Sequence, residues 1–131
     1  GSVEHMQQAR VLRRRLGGAM RQVGVLAAAG LYALDHNMDR LDEDHVRARR
    51  LAHLASTSPG LNVIEPETNI VMRDVVRADG MNANDVVREL AKEGVLMTAF
   101  TPYRVRAVLH MDVNDEDLSH AAEVLARVMA T

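Results

Sequence analysis

The sequence predicts an α/β fold of the α+β kind: a small, mostly antiparallel sheet covered by helices, with long helices at the N-terminal end. Three observations predict it. The apolar pattern along the 131 residues runs helix, helix, helix, strand, strand, helix, strand, strand, helix. The strand segments come in adjacent pairs, Leu61–Glu65 with Thr68–Arg73 and Val95–Phe100 with Arg104–Met111. The strands are apolar on one side only: in the last of them Val105, Ala107 and Leu109 fall on one face, and Arg104, Arg106, Val108 and His110 on the other.

Composition excludes several kinds of function. The length suffices for one domain with a real core. Sixteen basic and eighteen acidic residues give a net charge of −2, which offers no bulk attraction to nucleic acid or an anionic membrane. With no cysteine there is no disulfide framework, cysteine zinc site or thiol nucleophile. Tyr32, Phe100 and Tyr103 are too few aromatics for a base-stacking platform. No signal peptide or transmembrane segment is visible, so a soluble cytoplasmic protein is expected, with no nucleic-acid or membrane partner.

The elements follow in order. Residues 1–6, GSVEHM, read as a tag remnant and are set aside. Residues 7–36 read as connecting helices, and residues 37–131 as a small α/β domain. Gln7–Leu16 is a short helix with Arg10, Arg13, Arg14 and Arg15 near its negative end. Gly17-Gly18 breaks it. From about Met20 to His36 a second helix is almost wholly small or apolar between Val23 and Leu34. It is shorter than the ~20 apolar residues that span a bilayer. Being apolar nearly all round, it needs cover on most sides.

Asn37 is the predicted N-cap of a third helix, Met38–Ser56, acidic early and basic late, with an apolar stripe of Leu41, Ala48, Leu51 and Ala55. A loop over Ser56–Gly60 ends it. After the first strand pair, joined through Pro66, Asn82 caps a helix over Ala83–Glu93 that buries Val86, Val87, Leu90 and Ala91, with Gly94 closing it. Thr101-Pro102 turns between the last two strands. Asn114, with Asp117 at the third position and a Val113–Leu118 staple, starts a final helix that buries Val124, Leu125 and Val128.

Few residues demand chemistry alone. Arg21, at the start of the apolar helix, sits where the dipole disfavours a cation, so it either makes an anion site for phosphate or carboxylate or forms a salt bridge. Arg106, mid-strand, lies on an open face or reaches into a cleft. His110 and Asp112 are two candidate ligands, too few for a metal, and read as a hydrogen-bonded pair. His36, His45, His53 and His120 lack a partner motif. Asn69 holds a turn or bulge. No Ser-His-Asp spacing, phosphate-cradling loop or paired-carboxylate signal is present.

Together these residues carry a resemblance. LGGAMRQVGVLAAAGLYALDHN (Leu16–Asn37) and RLDEDHVRARRLA (Arg40–Ala52) are similar to the C-terminal part of the low-specificity threonine aldolases. These are pyridoxal-phosphate enzymes of the aspartate-aminotransferase fold type. PETNIV (Pro66–Val71), KEGVL (Lys92–Leu96) and VRAVLHMDV (Val105–Val113) match in family order, and coverage runs from about Arg10. Ala19 replaces the third glycine of the family's triplet. The resemblance implies that the chain is the C-terminal small domain of such an enzyme. It implies that Arg106 holds the carboxylate of an amino-acid substrate, and that Arg21 lies near the cofactor phosphate. Arg14, where many members have lysine, keeps the charge but not the hydrogen-bond geometry. His110 has a supporting role. No catalytic residue and no metal ligand is expected in the chain.

The family's Schiff-base lysine, ring-stacking histidine and pyridine-nitrogen aspartate lie upstream of the matched segment and have no counterpart here. Lys92, the only lysine, sits on an amphipathic helix. The expectation is therefore a fragment, inactive alone, of an enzyme that cleaves L-threonine or L-allo-threonine to glycine and acetaldehyde. The alternatives are the small domain of another pyridoxal-phosphate β-eliminating lyase, or a non-catalytic oligomerisation module. In either case the exposed apolar helix would drive self-association, so a homo-oligomer is expected.

Overall fold

A computed structural model describes residues 1–58, 60–77 and 79–130. It divides into two compact units, Gly1–Asp39 and Arg40–Thr131.

The first unit is helical. Helix α1 spans Val3–Arg15, beginning earlier than Gln7 because the Ser2 hydroxyl accepts from the His5 N–H and caps it. Gly17 ends it at φ +78°, and the Gly18 N–H donates back to the Arg13 carbonyl at 2.8 Å. A Cβ at Gly18 would stand 2.9 Å from Arg13 Cγ, so Gly18 is favoured by close approach and Gly17 by its positive φ. Helix α2 spans Gly24–His36 and starts later than Met20, because residues 21–23 form a turn. Asn37 is not the N-cap of the next helix: it closes α2, donating its N–H to the Ala33 carbonyl at 2.9 Å. No residue of α2 is buried, and Leu26, Leu31 and Leu34 are each about 60% exposed. The expected cover is therefore not supplied.

The second unit is a helix-covered sheet. Helix α3 spans Leu41–Leu54 and passes into a 3-10 turn at Ala55–Thr57. The strands are β1 (Leu61–Ile64), β2 (Ile70–Val75), β3 (Thr98–Thr101) and β4 (Arg104–Val108). Helix α4 (Ala83–Lys92) precedes β3, and α5 (Asp115–Ala130) closes the chain. Every pairing is antiparallel, in the order β1-β2-β4-β3.

Local chemistry sets the helix ends. Asn82 accepts from the Asn84 and Asp85 N–H groups while Asp85 accepts from the Asn82 N–H, a reciprocal cap. Asn114 and Asp117 repeat this at α5. Gly94, at φ +79°, ends α4, and the Val95 N–H returns to the Leu90 carbonyl at 3.1 Å. That return keeps Val95–Met97 out of the sheet, so β3 begins at Thr98 rather than Val95.

The helices pack against one face of the sheet. Leu61, Val71, Val75, Val105 and Leu109 point into that layer and meet Leu51, Val86, Leu90, Leu118, Val124 and Leu125. Leu41, placed in the buried stripe of α3 by its spacing, is 44% exposed, whereas Ala52 and Asp44 are buried. Ala91 of α4 is likewise exposed.

Two arginines join sheet to helices. Arg73 of β2 points inward, only 2% exposed, and donates from Nη2 to the Leu51 and Ala52 carbonyls at 2.6 and 2.9 Å. These carbonyls belong to the last turn of α3, the negative end of its dipole. Burial pushes the Arg73 guanidinium down to about 10, and it stays a cation at neutral pH. Arg77 donates from Nη1 to the Met129 carbonyl of α5 at 2.7 Å, and its other nitrogens grip Asp79.

Arg73→Ala should lower the unfolding free energy by about 3–5 kcal/mol in urea titration, since it empties core volume and removes two charge-assisted hydrogen bonds to the end of α3. Asp79 gives a pH signature. The Arg77 hydrogen bonds, then the Met81 N–H, hold its carboxyl down to about 2 against 3.8. A depressed carboxyl stabilises fully above its unfolded value and loses that contribution as pH falls through the folded one. The urea midpoint of the parent should thus fall between about pH 4 and pH 2 more than that of Asp79→Asn.

Candidate functional site

Because α3, α4 and α5 share one face, the opposite face of the sheet is left open within this unit. Strand alternation assigns it Ile70, Met72 and Asp74 from β2 and Arg104, Arg106 and Val108 from β4. Arg106 stands at its centre, opposite Met72 on one side and Thr98 on the other.

Three features shape the surroundings of Arg106. The register between β3 and β4 slips between Ala99 and Thr101, which leaves Phe100 as the extra residue of a bulge. Its ring centroid lies 5.7 Å from Arg106 Cζ, within cation–π range. Arg106 Nε is buried and has no hydrogen-bond partner among the described residues. Among the described residues, no carboxylate lies within ion-pair distance of its guanidinium. A buried donor without a partner costs free energy that a ligand oxygen can recover. The arrangement therefore suits a carboxylate or phosphate arriving from the open side.

The neighbouring cation differs. Arg104 pairs bidentately with Asp74, Nε to Oδ1 at 2.6 Å and Nη2 to Oδ2 at 2.9 Å. The Arg104 hydrogen bond lowers the Asp74 carboxyl below its usual range and raises the Arg104 guanidinium.

The other sequence-derived candidates lie elsewhere. Arg14 is exposed in the last turn of α1 and lines a hollow of about 430 Å³ with Arg10, Arg13 and Arg15. Arg21 is exposed in the turn before α2, not within the helix. Both belong to Gly1–Asp39, while Arg106 belongs to the second unit. His110 Nδ1 stands 3.5 Å from Asp112 Oδ2, with both side chains exposed. Asn69 donates from Nδ2 to the Leu109 carbonyl at 2.6 Å, and accepts from the Leu109 N–H at its own carbonyl. It fastens the ends of β2 and β4, and by bending the chain there it moves the start of β2 from Thr68 to Ile70. Lys92 is exposed and ion-paired with Glu89. It rides on α4, which packs on the covered face, so it lies across the sheet from Arg106.

Among the described residues no group of three or more His, Cys, Asp or Glu side chains could hold a metal ion. Nor is any helix there long and apolar enough to cross a membrane. Phe100, Asp74 and the Arg104 pair escaped the sequence reading. Only the β2–β4 register and the bulge bring them together, and a mid-strand Arg-x-Arg opposite a strand with one outward Asp is the signal that could have found them.

Comparison with known proteins bears on the whole chain. Residues 1–78 match the family described as beta-eliminating lyase. The low specificity L-threonine aldolase of Escherichia coli strain K12 is 38% identical over 122 residues, covering 93% of this chain and 35% of that protein. Low-specificity L-threonine aldolase 1 of Arabidopsis thaliana is 32% identical over 133 residues, covering all of this chain and 37% of that protein. The chain thus spans little more than a third of these relatives. Among solved structures, the C-DES protein with glycine covalently linked to its PLP cofactor superposes with a TM-score of 0.63 at 20% identity, over 79% of this chain and 28% of that one. Plasmodium falciparum ornithine delta-aminotransferase gives 0.55 at 13% identity, over 70% and 25%. At these identities the likeness shows a shared fold.

Phe100→Leu should release Arg106. The lost cation–π contact is worth roughly 0.5–1 kcal/mol, so the variant should unfold at nearly the parent's urea midpoint. The Arg106 Nε–H order parameter from nitrogen relaxation should nevertheless drop clearly.

Proposed function

Since the chain belongs to the beta-eliminating lyase family, we propose that it is the C-terminal small domain of a threonine aldolase. In that reading it supplies the arginine that holds the substrate's α-carboxylate. The carrying observation is Arg106: a guanidinium on the open sheet face, backed by Phe100, with a buried Nε awaiting an acceptor. The relatives named as low-specificity L-threonine aldolases, at 32% and 38% identity, support the substrate class. The activity is cleavage of the Cα–Cβ bond of L-threonine or L-allo-threonine to glycine and acetaldehyde, in a soluble cytoplasmic homo-oligomer. Residues 7–36 would pack on the large domain or a neighbouring subunit, which gives the bare α2 its cover.

The cofactor of the complete enzyme is pyridoxal phosphate, which would supply the sink for electrons released at Cα. The residues of this chain do not fit as its covalent holder. Lys92 is engaged by Glu89 and lies across the sheet from Arg106. Holding the cofactor thus falls to residues outside this sequence, with Arg21 and Arg14 as the chain's contribution on the phosphate side. Arg106 acts by orientation. A bidentate grip on the carboxylate fixes which Cα bond faces the cofactor ring, and a fixed reacting geometry removes orientational entropy from the barrier. The family name also covers β-eliminations, and the small domain does not choose among these reactions; the threonine aldolase relatives support the aldol cleavage.

Two measurements test the reading. The 131-residue chain should show no specific pyridoxal-phosphate absorbance, no borohydride trapping and no acetaldehyde from L-allo-threonine. Trapping at Lys92 with turnover would overturn it. In the complete enzyme, Arg106→Ala should raise KM for L-threonine about a hundredfold, since a bidentate charge-assisted pair is worth roughly 3 kcal/mol.

A further inference from the structure

Asp74 is the only carboxylate in the four strands. It shares the open face with two arginines. Arg104 is directly opposite it in the register, and Arg106, opposite Met72, is its diagonal neighbour. Diagonal Cα atoms on adjacent antiparallel strands stand about 7–8 Å apart, a gap that long side chains bridge. Arg106 could therefore take Asp74 as its own counter-ion. It does not, because both Asp74 oxygens are held by Arg104 at 2.6 and 2.9 Å. A bidentate grip from the opposed position outcompetes a diagonal contact. The result is one neutralised pair and one uncommitted guanidinium, whose Nε is buried without a partner among the described residues.

We propose that Arg104 is a positioning residue: by gripping Asp74 it keeps that carboxylate off Arg106 and leaves the Arg106 guanidinium open to an incoming carboxylate. The ligand end of this inference rests on the carboxylate-binding reading of Arg106; the competition for Asp74 does not. Without Arg104, Asp74 becomes an internal competitor at very high effective concentration, and the site inhibits itself. Arg104 contributes no contact to the ligand, so its loss acts only through Asp74, and removing Asp74 as well repairs it.

The test uses the 131-residue chain and reads two nuclei: the Asp74 carboxyl carbon through a pH titration, and the Arg106 Nε–H resonance. Glycine is the carboxylate probe. In Arg104→Gln, the Arg106 resonance should shift and the Asp74 carboxyl should still titrate below the usual carboxylate range, now held by Arg106. In Arg104→Gln/Arg106→Gln it should return to the usual range. The glycine concentration that half-saturates the Arg106 shift should rise roughly five- to tenfold in Arg104→Gln, the size of one partly exposed charge pair. In Arg104→Gln/Asp74→Asn it should return to within about twofold of the parent. Arg104→Met, which keeps the aliphatic stem, repeats the measurement should the Gln variant not fold.

The proposal is overturned if Asp74 titrates in the usual range in Arg104→Gln while the Arg106 resonance stays put. It is equally overturned if Asp74→Asn fails to repair glycine binding. If glycine leaves the Arg106 resonance of the parent unmoved, the carboxylate reading of Arg106 fails, and the Asp74 titration still decides the competition.

Discussion

Arg73 is the constraint on which the second unit depends. It is a cation inside the core, held against the last carbonyls of α3 and with no ion-pair partner among the described residues. An isolated buried charge is costly. Here the last-turn carbonyls and dipole of the helix end take the place of a counter-ion. That contact fixes the end of α3 over β2, and Leu51, Ala52 and Val71 pack around it. Arg77 does the same for α5, with Asp79 steadying it from outside. Both ties pull helices to one side of the sheet.

The open face is the consequence. Once the inward positions of β2 and β4 are committed to that layer, period-two alternation sends Asp74, Arg104 and Arg106 the other way. The sheet thus separates two uses of arginine by parity alone. Arg73, an odd position on β2, fastens the fold. Arg106, an outward position on β4, has an aromatic backing and no backbone carbonyl among the described residues to hold it. The bulge at Phe100 is what turns a flat strand edge into that backing.

Much of this was legible in the sequence where the signal is local. Asn82, Gly94 and Asn114 act within a few residues of themselves, so caps and helix ends could be read directly. The alternation of Arg104–Met111 likewise foretold which side Arg106 takes. What was not legible depends on contacts distant in the chain. Asn37 looks like a cap from its type, yet the three residues after it turn before α3 starts, and its N–H is needed by α2. The start of β2 is set by Asn69 bonding to Leu109, forty residues away. Arg73 reads as an ordinary strand-end arginine until α3 is placed above it. The pairing of Asp74 with Arg104 rather than Arg106 is a matter of register, which no propensity encodes.

The central claim is that Arg73 serves the fold while Arg106 is left for a ligand. The most direct measurement is the urea unfolding free energy of Arg106→Gln beside the parent. The account predicts a change within about 1 kcal/mol, no more than the cation–π contact with Phe100 is worth. A loss above roughly 2 kcal/mol would show Arg106 to be a structural cation like Arg73 and would contradict the account.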